Sequence, residues 1–190
     1  MPHWSDALRG LDACAEGIEW AATQPDAETA WRTCTRGDWM LWSLAQGLTR
    51  ETPEHRTLIA ACCECARLAL PHVRPGEMRP LRAIEAAERY ARGEAISRAE
   101  LRRAADDATY AADAYAAAAD AAAAYASYAS AAAAYAYATY AAASYAATAN
   151  ANANANANAN ANANAAADAR ASTLAQCEDI VRRHHPESPL

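Results

Sequence analysis

The chain has 190 residues, a formal charge of −6 and a pI near 5.3, with six cysteines and neither Phe nor Lys. That length holds one domain, or one domain with an extension, and is enough to bury a core. Its acidic balance, with no basic stripe, argues against nucleic-acid binding, whose affinity comes mainly from phosphate neutralisation, and leaves a basic protein partner open.

The opening Met-Pro-His-Trp-Ser-Asp has no basic start and no apolar run. The expectation is therefore a cytoplasmic chain without a signal peptide, its cysteines free thiols and not a disulfide framework. Residues 121 to 167 carry no charge, yet alanine is nearly neutral on insertion scales and Ser, Thr, Tyr and Asn interrupt the run, so no membrane span is expected.

Punctuation divides the chain. All six glycines lie at or before Gly93, and no proline falls between Pro80 and Pro186. Residues 1–95 therefore read as short elements, and 97–185 as long helices. Large apolar side chains crowd the first part, where all five tryptophans lie between Trp4 and Trp42.

Ser5 reads as the N-cap of a first helix to about Ala22, with Leu8, Leu11, Ala15 and Ile18 on one face. Pro25 opens a second, with Asp26 and Glu28 in its first turn and a stop near Gly37. Asp38 reads as the cap of a short helix, Trp39 to Gln46. Thr52-Pro53-Glu54 starts a fourth helix that carries Leu58, Ala61, Cys62, Cys65, Leu68 and Ala69 inward until Pro71. Pro80 opens a fifth, with Leu81, Ile84, Ala87 and Tyr90 inside and Gly93 at its end.

Ser97-Arg98-Ala99-Glu100 is a capping box that starts the Ala/Tyr-rich run. One helix from Ser97 to His184 would exceed about 120 Å at 1.5 Å per residue, several times the breadth of the rest, so the run is expected to fold back. The expected turn is the strict Ala-Asn alternation, within a repeat spanning 149–165. In a helix a period of two scatters Asn over every face and leaves no stripe to bury; in a strand it segregates Ala from Asn. Helix is favoured by the flanking alanines, with disorder or an extended turn as the alternatives. A last helix, Ala166 to about His185, regains an inner face through Leu174, Cys177, Ile180 and Val181.

Three sets of side chains invite a chemical reading. Cys62 and Cys65 lie one turn apart, and His55, His72 or His184 would complete a tetrahedral zinc site. Structural zinc sites come as two spaced pairs, however, and free cysteine is among the most buried residue types, so a packed thiol core is the preferred reading. The adjacent His184 and His185 diverge by about 100° and read as a polar helix end. Asp38, Glu85 and Glu88 form a conceivable acid-base set, but Arg82 with Glu85 and Glu85 with Arg89 are spaced as surface ion pairs. Trp39 and Trp42 line either a pocket, a partner surface or, by preference, the core. No phosphate loop, nucleophile elbow or paired zinc motif is present, and no catalytic, cofactor-binding or metal residue is assigned.

Three segments resemble one family. They are Arg36-Gly37-Asp38-Trp39-Met40-Leu41-Trp42, then Ala60-Ala61-Cys62-Cys63-Glu64-Cys65-Ala66-Arg67, and above all Arg79-Pro80-Leu81-Arg82-Ala83-Ile84-Glu85 continuing through Glu88 to Ala91-Arg92-Gly93-Glu94. With the Ala/Tyr-rich tail ending in Val181-Arg182-Arg183-His184, they are similar to immunity proteins of bacterial polymorphic toxin systems, specifically the immunity-protein-five-like group. The resemblance implies a non-enzymatic, cytoplasmic, all-helical protein that neutralises a cognate toxin by binding it. A structural protein that self-associates into an oligomer through its Ala/Tyr helices is the alternative. The expected fold is all-α: one domain over 1–190, a bundle of short N-terminal helices packed with a long Ala/Tyr-rich antiparallel hairpin.

Overall fold

The computed structural model describes residues 3–117, 146–153 and 163–189. Its helices are α1 (Asp6–Arg9), α2 (Ala15–Ala22), α3 (Ala27–Thr33), α4 (Gly37–Ala45), α5 (Pro53–Arg67), α6 (Arg79–Ala91) and α7 (Arg98–Ala117), then α8 (146–153) and α9 (Ala163–His184). A 3₁₀ turn, Leu70–His72, follows α5. The described residues are all-α and include no strand.

The single first helix expected from Ser5 to Ala22 is two. Asp12 takes a left-handed backbone (φ 58°), a conformation that ends a helix and that a short polar residue tolerates. The chain restarts at Cys14, whose Sγ accepts from the Gly17 amide at 3.4 Å. Ser5 caps nothing; it is buried and shares a 2.8 Å hydrogen bond with His3 Nδ1. Leu8 and Ile18 are buried as expected, whereas Leu11 and Ala15 are exposed.

Two more starts shift by a residue or two. Asp26 is the N-cap of α3, accepting from the Thr29 amide at 2.7 Å, and α3 ends at Thr33. Asp38 is not the cap of α4; it lies within the first turn, buried against Arg36. The reason is packing: α4 begins at Gly37, where a Cβ would stand 2.5 Å from the Cys177 Cβ and 2.6 Å from the Glu178 amide nitrogen of α9. Only glycine permits that approach.

The remaining signals act where they stand. Thr52 Oγ1 accepts from the His55 amide at 3.2 Å, with Pro53 in the first turn. Gly93 takes φ 75° after α6. Ser97 and Glu100 satisfy each other's amides at 2.9 and 3.2 Å. In α6 the inward side chains are Ala83, Ile84 and Ala87, and Leu81 is half-buried.

One apolar cluster joins these elements. It takes Trp31 from α3, Met40 and Leu41 from α4, Leu58, Ile59 and the Cys62, Cys63 and Cys65 thiols from α5. Ile84 of α6, Ala105 and Ala108 of α7, Ala146 and Ala149 of α8, and Cys177, Ile180 and Val181 of α9 complete it. Alanines on α7 and α8 contribute little area each, so backbones approach closely and the large side chains of α4 to α6 fill the centre. A smaller cluster, Leu8, Ile18 and Ala21, sits apart, and Trp20 packs against both.

Asn150 Nδ2 donates to Thr173 Oγ1 at 2.7 Å, and Arg170 donates to Thr148 Oγ1 at 2.7 Å. In one straight helix residues 150 and 173 would stand about 35 Å apart. Segments α8 and α9 therefore lie side by side. The turn expected inside the Ala-Asn tract, and the tyrosines Tyr125 to Tyr145, fall outside the described residues. Among those described, no helix is long and apolar enough to cross a membrane.

Candidate functional site, a cleft walled by tryptophan

Between the two apolar clusters lies a cleft of about 440 Å³, lined by all five tryptophans. They reach it from four places. Trp4 precedes α1 and is held by its indole N–H, which donates to the Gln24 carbonyl at 3.0 Å. Trp20 closes α2, Trp31 lies in α3, and Trp39 and Trp42 stand one turn apart on α4. The Trp20 and Trp39 rings are 5.8 Å apart and tilted by 51°, and Leu8, Ala21, Cys34 and Met40 fill the apolar wall between indoles. The break between α1 and α2 matters here, because it lets Trp4 and Leu8 fold over α2 instead of continuing along it.

The charged part of the wall is one guanidinium and three carboxylates. Arg36 grips Asp38 in two parallel hydrogen bonds, Nε at 2.9 Å and Nη2 at 2.8 Å, and gives Nη1 to Glu16 at 3.1 Å. That bidentate bond to Asp38 is the main cause that raises the Arg36 pKa, ahead of opposing burial. The Arg36 guanidinium also lies 4.2 Å from the Trp39 ring centroid, a cation–π contact worth about 0.5–2 kcal/mol. Asp12, exposed on its left-handed turn, is the third carboxylate. Cys34 lines the wall as a protonated thiol, burial pushing its pKa up to about 11. Trp31 keeps its buried indole N–H without a partner among the described residues.

The far end of the chain holds this site in place. Arg182 of α9 donates to the Trp31 carbonyl and, at 2.7 Å, to the Cys34 carbonyl, while its Nε pairs with Glu178. Those carbonyls are the orphan acceptors at the end of α3, so a charged donor satisfies them and anchors α3 under the cleft.

The side chains singled out from sequence separate. Cys62 and Cys65 lie in the core, and burial pushes the Cys62 thiol well up, as does a hydrogen bond with Cys177, followed by burial, for Cys65. A thiol so held stays protonated and packs as a small apolar side chain. His55 is hydrogen-bonded to the Tyr90 hydroxyl at 3.0 Å. His184 meets Glu64 at 2.7 Å, His185 Nε2 is buried without a partner among the described residues, and burial lowers the His72 pKa. Among the described residues no three His, Cys, Asp or Glu side chains gather to hold a metal.

The acid-base set does not assemble either. Asp38 is in the cleft wall, Glu88 pairs with Arg67 at 2.6 Å, and Glu85 is exposed. In place of the expected intrahelical pairs, Arg89 reaches Glu94 at 3.4 Å. Trp39 and Trp42 are half-buried and do both: Trp39 packs against the main core and Trp42 against the smaller cluster, and each also lines the cleft. Trp4, Trp20, Trp31 and Arg36 were not singled out, although the confinement of every tryptophan to the first 42 residues was the signal. Compared with protein-family models, with curated proteins and with solved structures, the chain matches none.

Proposed function

We propose that this chain is a non-catalytic recognition protein of the immunity type, acting in the cytoplasm to neutralise a bacterial toxin by direct contact. The observation that carries the reading is the open cleft walled by five tryptophans. Half-buried, pre-arranged indoles with charged neighbours, as Trp4, Trp20, Trp39 and Trp42 are here, are the surface from which interface hot spots are made. The resemblance adds weight, since its first segment supplies Arg36, Asp38, Trp39, Met40 and Trp42 to that wall. Its second lies in the apolar core of α5, and its tail motif contributes the Arg182 anchor under α3. The compact helical hairpin over 97–185 belongs to the same proposal, supported by the α8–α9 hydrogen bonds.

Co-expression with the toxin genes that flank its own tests the reading. Toxicity is expected to be relieved and the two proteins to elute together. Trp42→Ala, at a half-buried cleft position, is expected to weaken the complex about 30-fold or more with an unchanged circular dichroism spectrum. Absence of relief by this chain, together with no protein recovered on it, counts against the proposal.

Self-association is the second reading, favoured by Tyr110, which is 68% exposed on α7. Light scattering that gives a monomer mass over a wide concentration range removes it.

A further inference from the structure

Resting on the recognition reading, we infer that the group the cleft receives is an arginine side chain of the protein partner, its guanidinium laid between indoles and facing Asp12 and Glu16. The charge of the wall sets the sign. Three carboxylates, Asp12, Glu16 and Asp38, face one guanidinium, Arg36. The surrounding chain has the same bias: residues 1–42 carry seven acidic side chains and three arginines, a net −4 of the −6 in the whole molecule. An anionic ligand is repelled, and a neutral aromatic leaves the surplus carboxylates unanswered.

Shape and surface then select among cations. Five indoles line the wall, and an indole face attracts a flat, weakly hydrated guanidinium more readily than a compact ammonium that keeps its water. The protein already does this once with its own side chain. Arg36 lies 4.2 Å over Trp39 and is held by two carboxylates. Glu16, whose side chain is 72% exposed, and Asp12 keep acceptor capacity for a second guanidinium. Net charge also steers a basic partner toward this face before contact.

Because every tryptophan lines the cleft, intrinsic tryptophan emission reports on it alone. N-acetylarginine amide is titrated against the full chain, with N-acetylcitrulline amide as the uncharged isostere and benzyl alcohol as the neutral aromatic. The arginine compound is expected to change the emission saturably and to bind at least about tenfold more tightly than the citrulline compound. Glu16→Gln and Asp12→Asn, both at exposed positions, are each expected to weaken it about threefold without altering the circular dichroism. Equal binding of the citrulline compound, or saturable binding of benzyl alcohol alone, overturns the inference, the latter in favour of a neutral aromatic ligand. If a neutralised toxin is found while the arginine compound leaves the emission unchanged, the guanidinium inference falls and the recognition reading stands. If the compound binds as expected but no toxin is neutralised, the cation site stands and the immunity reading falls.

Discussion

At Gly37 a hydrogen in place of a methyl group decides how near two helices come. A Cβ there would meet the Cys177 Cβ at 2.5 Å and the Cys177 carbonyl carbon at 2.7 Å, and backbone cannot swing aside as the end of a long side chain does. Gly37→Ala is therefore expected to destabilise the protein by about 2 kcal/mol through overpacking, lowering the melting temperature by roughly 4–8 °C for a chain of this size. Gly47, whose Cβ position meets nothing within 4 Å, is the control, and Gly47→Ala is expected to leave the melting temperature within a degree or two. Equal effects at the two positions would mean that α4 and α9 do not touch at Gly37. Arg36 shows a related economy. One guanidinium satisfies a carboxylate that is 7% exposed, covers an indole face and reaches across to α2.

Among the elements, α9 has the largest structural task. Its inward residues Cys177, Ile180 and Val181 join the main core, while Arg182 caps the carbonyl end of α3. Arg182→Ala removes a charged donor from two carbonyls and leaves Glu178, which is 14% exposed, without its partner. A loss of about 2–3 kcal/mol is expected, read as a lower denaturant midpoint, together with a red shift of tryptophan emission because α3 carries Trp31 into the cleft. A variant that loses stability with no change in emission would show that α9 supports the core without setting the cleft. By contrast, Arg98 and Glu51, 79% and 58% exposed, tie the start of α7 to the loop before α5 through a contact that contributes little in water.

For the whole molecule, pH dependence on the acid side follows from groups that differ in sign of charge but act in one direction. Burial lowers the pKa of His72 and, with help from the nearby His184, that of His185 below the ordinary 6.5. The unfolded chain then takes up these protons first, so stability is lost as pH falls through about 6.5 and below. For Glu64 burial alone would raise the carboxyl, yet the His184 hydrogen bond and the His184 and Arg183 charges together bring it below the ordinary 4.5. Its stabilisation is present above that value and is lost as pH falls through the depressed one. Urea midpoints are expected to be flat between about pH 7 and 8, to decline below about 6.5 and again below about 4.5, and to fall above about 9, where unfolded thiols ionise while the buried Cys34, Cys62 and Cys65 stay protonated. A stability maximum on the acid side would contradict this placement of His72, His185 and Glu64.

Local signals in the sequence determined where α5 and α7 start and where α6 ends. Thr52 with Pro53, Ser97 with Glu100 and Gly93 each act within four residues of themselves, through a backbone amide or a permitted φ, and need no distant partner. The inner faces of α5 and α9 were legible for the same reason, because a helical period repeats within one element. The α1–α2 break was not legible, since the left-handed turn at Asp12 is worthwhile only once Trp4 and Leu8 have a cleft to cover. Asp38 likewise looks like a cap until Gly37 is seen packed on α9. Only tertiary structure brought the five tryptophans together. Their spacing follows no period, and the supports of their cleft, Arg182 and Cys177, lie about 140 residues further along the chain. Such contacts depend on which surfaces meet after the helices form, and that is decided by packing the whole molecule at once.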